Sequence, residues 1–292
     1  MPLRELLFAA LVPLLWAFGF VFAKAGLDEF PALMLMGLRF CLTALVLVWF
    51  VKPPKGYYRD VFWIAMISGT LQYGLTFTGL SLLDASLAII VVQLEVPFGI
   101  LAAVVMLGER PGWQRALGIL VAFAGIALIA GQPTFENQLY PMLLTGSGAA
   151  MWAIGQVMVK RLKGAVNSFS LIAWVGVFAG PQMLFGSLFI ESGHLEAIQS
   201  ASWIGWGTVL YMALGMTALG YGIWYTVLSR HPVAQVMPVL LLLPILTIIL
   251  SMILLGERPS PIVIIGGGIV LAGLAIINFA PTQAVPLEQP AA

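Results

Sequence analysis

The chain has 292 residues, of which 61% are hydrophobic and only 9% charged, whereas a soluble protein of this size carries about a quarter charged residues. Its main solvent is therefore lipid, and a formal net charge of +1 gives no basic field for nucleic acid. One cysteine, Cys41, and two distant histidines, His194 and His231, exclude an intramolecular disulfide and do not support a metal cluster, so no metal and no cofactor is expected.

Apolar runs of about 20 residues, broken by Pro, Gly or charge, are the signature of transmembrane helices. They predict ten, at roughly 5–23, 32–51, 60–82, 85–107, 113–131, 139–160, 168–190, 203–228, 233–254 and 262–280. The connections are short and leave no room for a soluble domain. Arg4, the first run and Ala23-Lys24-Ala25 also resemble a secretory signal. An internal partner for this segment favours reading it as the first helix. WAFGFVFAK at 16–24 matches WAIGQVMVK at 152–160, an offset of 136.

A second echo lies further along. LGERP stands at 107–111 and again at 255–259, an offset of 148. Gly118 and Gly125 follow Glu109 by nine and sixteen residues, as Gly266 and Gly273 follow Glu257. The chain thus reads as a first five-helix repeat over 1–137, a second over 138–280, and a polar, Pro-rich tail over 281–292 expected to be disordered and cytoplasmic. An odd number of helices per copy inverts the second copy, a design common among secondary transporters. The fold class expected is all-α integral membrane, two inverted five-helix repeats around a central cavity.

With the N-terminus inside, ten Lys and Arg fall on inner segments and only Lys24 and Arg258 on outer ones, while Arg39 lies within a span. The positive-inside rule then puts both termini in the cytoplasm. Within LGERP, Gly108 and Gly256 can take the left-handed conformation that stops a helix. Pro111 and Pro259 are expected to begin the next helix. The plain reading is a hairpin corner, and a gating role for Glu109 or Glu257 is the alternative. The glycine faces after each corner let helices approach closely within the bundle, or along a dimer seam; a monomer or a weak homodimer is expected.

Polar groups inside spans are costly and need a partner or water. Ser68, Gln72 and Thr76 form a stripe on the third run, with Tyr73 beside it; Gln93 and Glu95 lie on the fourth; Trp152 and Gln156 share a face of the sixth; Tyr211, Tyr221 and Tyr225 follow one face of the eighth. Trp16 is the repeat mate of Trp152. Together they suggest an aromatic, amide-lined pocket suited to neutral or aromatic amino acids, with simple packing or headgroup anchoring as the alternative. Arg39 and Glu95 are deep charges that neutralise each other, unless Glu95 is protonated. Functionally, Arg39 would attract a substrate carboxylate, or Glu95 would carry a proton. Lys24 and Lys160 are expected to snorkel to headgroups. Pro97, Pro238 and Pro244 are candidate hinges, because proline removes a backbone hydrogen bond.

These features resemble the drug/metabolite transporter superfamily in its ten-helix EamA-type branch. The resemblance rests on the twin WAxGxVxxK and LGERP motifs, on Gly37-Leu38-Arg39-Phe40, and on GYGIWYTVLSR at 220–230, which is similar to YddG-type bacterial amino-acid exporters. It implies efflux of amino acids or related metabolites across a bacterial inner membrane without ATP, from a central cavity between the halves. The chain has no GxxxxGK[ST] phosphate loop, so secondary or facilitated transport by alternating access is expected, with a small-molecule substrate and the lipid bilayer as partners. A drug-cation or purine carrier is the alternative within transport. An integral membrane enzyme is the alternative outside it, and the isolation of His231 and Asp84 argues against that.

Overall fold

A computed structural model describes residues 3–231 and 236–280, without the side chains of 3, 134–136, 225, 228 and 229. The tail expected at 281–292 lies outside the described residues. Among the described residues every regular element is helical. In chain order these are α1 (Leu3–Gly26), α2 (Ala32–Leu47), α3 (Tyr58–Ile64), α4 (Gln72–Leu82), α5 (Ala85–Val92), α6 (Glu95–Leu107) and α7 (Trp113–Ala130). They continue with α8 (Leu139–Arg161), α9 (Ser168–Ile190), α10 (His194–Ser200), α11 (Trp203–Leu210), α12 (Gly220–Arg230), α13 (Leu242–Leu254) and α14 (Pro261–Phe279).

Among the described residues, eight helical stretches are long and apolar enough to cross a bilayer: Arg4–Gly26, Ala32–Phe50, Ala85–Leu107, Trp113–Ala130, Leu139–Arg161, Ser168–Ile190, Met237–Leu254 and Pro261–Phe279. Two further paths are helical throughout but change register midway. The π-helical segment Ala65–Leu71 joins α3 to α4, and a second one, Tyr211–Leu219, joins α11 to α12. Each inserts i→i+5 bonds into an α-helix, an arrangement frequent at functional sites.

Small residues set the packing. A Cβ on Gly118 would come within 2.7 Å of the Gly273 carbonyl oxygen, and one on Gly125 within 2.6 Å of that of Gly266, so α7 and α14 touch backbone to backbone and run antiparallel. Close approach of this kind replaces the hydrophobic drive that lipid cannot supply. The glycine faces read from the sequence therefore meet each other inside the bundle. Helices α2 and α9 pack in the same antiparallel sense, Gly37 against Leu184, Gly180 against Cys41 and Gly176 against the Phe40 carbonyl. Helix α4 lies along α8, with Gly79 against Pro141 and Thr145, and Gly148 against Thr76. Helix α1 lies along α12 and α13.

The prolines act locally. Helix 85–107 breaks at Gln93–Leu94, where the Val96 amide bonds the Gln93 carbonyl at 3.2 Å. That carbonyl is four residues before Pro97, which has no N–H to offer it and whose ring would collide with it in an unbroken helix. Pro97 is the third residue of α6 and Pro244 the third of α13, so both spans restart at the same place relative to proline. Pro238 is the second residue of the 3-10 turn Met237–Leu241 that leads into α13.

The two corners have the same backbone. Gly108 has φ +71 and Gly256 φ +70. The Glu109 amide bonds the Ala103 carbonyl and the Glu257 amide the Ser251 carbonyl, both at 3.3 Å, closing Schellman turns. The expectation for the prolines needs correcting. Helix α7 starts at Trp113 after Gly112, and Pro261, not Pro259, is the first residue of α14. Ser260 has taken the extended cap position, which displaces the start by two residues.

Candidate functional site

Arg39 is the centre of the candidate site. It lies on α2, is 1% exposed and has no ion pair among the described residues. The expected pairing with Glu95 does not form: Glu95 starts α6 beside the break in helix 85–107, half-buried and likewise without an ion pair among the described residues. The guanidinium instead rests on two aromatic faces, Tyr73 at 4.7 Å and Phe40 at 5.2 Å, whose π clouds attract a cation. These rings meet edge to face at 4.9 Å. One good acceptor completes the shell: Nη2 donates to the Thr217 hydroxyl at 3.0 Å, while Nη1 reaches only the Met36 sulfur at 3.9 Å and Nε has no partner.

Thr217 belongs to the π segment Tyr211–Leu219, and α1 grips this segment at two more points. The Trp16 indole donates to the Met216 carbonyl and the Tyr211 hydroxyl to the Leu15 carbonyl, each at 3.1 Å. Trp16 also packs on Tyr221, at 5.2 Å, and on Trp224, at 6.0 Å. The structure thus gathers Arg39 with Tyr73, and Trp16 with Tyr221, around one irregular stretch of helix. The side chain of Tyr225 lies outside the described residues.

The remaining candidates are placed elsewhere. Gln72 and Thr76 are buried in the seam between α4 and α8, where Thr76 and the Gln72 carbonyl face Gly148 and Ser68 faces Gly155. Gln72 Oε1 and Thr76 Oγ1 have no protein partner there. On α8, Trp152 is half-buried and Gln156 exposed. Gln93 lines an apolar groove of about 260 Å³ with residues of α13 and α14, among them Pro244, Ile248 and Gly267. Sequence reasoning missed Phe40 and Thr217; the GLRF motif contains the first, and a lone hydroxyl in MALGMTALG was the only sign of the second.

Charged groups gather at the two ends. At the end where α5 begins, the Glu257 carboxylate accepts from the Ala85 amide at 2.6 Å and the Ser86 amide at 2.9 Å, satisfying two of the four orphan donors of that helix. Lys24 does not reach outward; its Nζ donates to the Leu80 and Ser81 carbonyls at 3.0 and 3.1 Å, closing the end of α4. Asp84 stands at the first position before α5 without a capping bond from its side chain, and its carboxyl is pushed up by partial burial and the nearby Glu257, with Lys24 opposing. At the other end of helix 85–107, Glu109 pairs with Lys160 at 2.5 Å, both well exposed. Nearby, Arg161 donates to the Met106 carbonyl at 2.8 Å.

A protein from Escherichia coli (strain K12) named a probable amino-acid metabolite efflux pump is 30% identical over 289 residues, 96% of each chain. Its namesake from Salmonella typhimurium (strain LT2) is 31% identical over 93% of each. A probable terminal-alkyne amino-acid exporter of Streptantibioticus cattleyicolor is 25% identical over 90% of this chain and 89% of its own. A solved crystal structure, 18% identical, covers 99% of both chains with a TM-score of 0.64 and so shares the fold. The EamA-like transporter family profile matches residues 3–131 and 139–279, and the chain belongs to that family.

Proposed function

We propose that the protein is a secondary transporter that exports amino acids, neutral and aromatic ones foremost, or related metabolites across a bacterial inner membrane. The observation that carries this reading is Arg39: a buried guanidinium over two aromatic rings, with no carboxylate partner and an Nε without a partner among the described residues. A buried charge without a counter-ion is costly in a membrane. A substrate carboxylate relieves that cost through a paired hydrogen bond, and the Tyr73 and Tyr221 side chains offer aromatic surface nearby. The names of the relatives support the same substrate class.

The architecture that serves this is ten membrane helices in two inverted halves, 1–137 and 138–280, with both termini cytoplasmic. Three features support it. The π segments Ala65–Leu71 and Tyr211–Leu219 overlap when shifted by the 148 residues that relate the two LGERP corners. The sequence-matched glycines cross over, Gly118 to Gly273 and Gly125 to Gly266, as a two-fold axis between α7 and α14 requires. Glu109 and Glu257 lie at opposite ends of helix 85–107. Alternating access then exchanges the halves, with Pro97, Pro238 and Pro244 marking where the fourth and ninth spans bend.

The test is uptake by proteoliposomes of a panel of labelled amino acids, with and without a pH gradient. Saturable uptake of neutral or aromatic amino acids is expected, reduced about tenfold or more in Arg39→Gln, since a charged hydrogen-bond partner is lost. Unchanged flux in a folded Arg39→Gln protein would remove the central role assigned to this residue. The unpaired Glu95 favours a second reading, a cation carrier; labelled organic cations in the same panel separate the two.

A further inference from the structure

Thr217 has a geometry that packing alone does not require. Its hydroxyl donates to the Met212 carbonyl at 2.8 Å, five residues back. In an α-helix the same hydroxyl would reach back three or four residues, so the bond exists because residues 211–219 are π-helical. Its single proton is thereby committed, and its lone pairs are left to accept from Arg39 Nη2 at 3.0 Å. The chain Met212 carbonyl, Thr217 hydroxyl, Arg39 guanidinium is polarised in one direction, which strengthens each link in a low-dielectric interior. Thr217 is 4% exposed and Arg39 is 1% exposed, so water does not readily substitute. With Nη2 held, the guanidinium carbon sits in the corner formed by the Tyr73 and Phe40 rings, and Nε, on the same edge as Nη2, has no partner among the described residues.

We propose that Thr217 is the positioning residue of the carboxylate site: through its hydroxyl, the π segment turns Arg39 so that its Nε edge is presented to the substrate carboxylate. This rests on the reading of Arg39 as the carboxylate site. A carboxylate arriving at Nε and Nη2 forms the paired hydrogen bonds that a fork of this geometry favours. Nη2 would then bridge the carboxylate and the Thr217 hydroxyl, so substrate binding and the register of this helix are linked through it. Arg39 alone, on a long flexible side chain, would not keep one edge forward. The two rings and the Met36 sulfur limit where it can lie, and Thr217 is its one oxygen acceptor among the described residues.

The experiment compares two ligands on purified protein: labelled L-phenylalanine, and L-phenylalanine amide as a competitor that lacks the carboxylate. Thr217→Val keeps the side-chain shape and removes the acceptor. It is expected to weaken L-phenylalanine binding about tenfold, the scale of one hydrogen bond to a charged group, while changing amide binding less than about threefold. Thr217→Ser, which restores the hydroxyl, is expected to recover most of the loss. Thr217→Ala is measured alongside in case the valine variant does not fold, with an equal or smaller loss of the same carboxylate dependence. A merely structural role would weaken both ligands alike, and that result, or unchanged binding of both, overturns the proposal. Arg39→Gln separates the two levels. If it abolishes the preference for the acid over the amide while the Thr217 variants keep it, the carboxylate site stands and the role of Thr217 falls. If the unaltered protein shows no such preference, the carboxylate site falls and takes this inference with it.

Discussion

The two LGERP corners carry the same five residues and fold into the same turn, yet their glutamates do different things. Glu257 is half-buried, with both carboxylate oxygens on the first amides of α5. Glu109 is exposed and bonds only the flexible ammonium of Lys160. At the Glu257 end every residue from Ala85 to Val92 is buried, Lys24 closes α4, and the helix ends are tied together. At the Glu109 end most of α6 is partly or fully exposed. Local sequence therefore determines the turn, and the tertiary surroundings determine its partner. If the proposed alternating access holds, the tied Glu257 end is the closed one.

That contrast can be broken most forcefully at Glu257. Glu257→Ala leaves two amides at a buried helix start without an acceptor, and bonds to a charged partner are worth about 1.5–3 kcal/mol each. The expected outcome is a marked fall in thermal stability, together with faster labelling of a cysteine placed at Ser86, which is buried here. Glu109→Ala removes only an exposed ion pair, of a kind worth about 0–1 kcal/mol, and is expected to leave melting and labelling almost unchanged. Equal effects at both corners would mean that the two glutamates are energetically alike, and the contrast would collapse.

The turns themselves are expected to respond equally. Gly108→Ala and Gly256→Ala each force a Cβ into a left-handed backbone, at a cost of about 1–2 kcal/mol. No atom lies within 4 Å of the added Cβ at either site. Any difference between their melting shifts must come from the surroundings and not from the turn, which sharpens the comparison. Differential scanning fluorimetry of the two variants checks it.

How much of this was readable follows the same division between local and tertiary. The helical runs, the left-handed glycines and the packing face of Gly118 and Gly125 were legible because each is encoded within about two turns of chain. The break before Pro97 was legible too, since proline acts on a carbonyl four residues back. Pro259 was misjudged because a second proline two residues later competes for the same helical position. Lys24 was misjudged because its carbonyl partners lie 56 and 57 residues away. For the site, Arg39 stood out as a deep charge, but its bond to Thr217 spans 178 residues and depends on a register shift that no composition rule announces. The stripe of Gln72 and Thr76 was visible as polar, but whether it faced solute or another helix depended on where Gly148 came to rest.

The smallest expected effect is also a property of the Glu257 corner alone. Asp84 titrates above its ordinary value of 3.8 here, because partial burial and the Glu257 carboxylate disfavour its charge more than Lys24 favours it. A raised carboxyl means that this conformation binds more protons than one in which Asp84 is fully solvated. By linkage its stability rises as pH falls through the window between the raised value and the ordinary one, is lost as pH climbs back through that window, and is flat outside it. Mild acid on this side of the membrane is therefore expected to favour the closed corner and slow labelling beside it. Asp84→Asn, which keeps the shape without the charge, is expected to flatten that dependence and to hold the corner closed at neutral pH. A pH profile that keeps its slope in the asparagine variant would assign the effect to another group, and would leave the contrast between the corners resting on Glu257 alone.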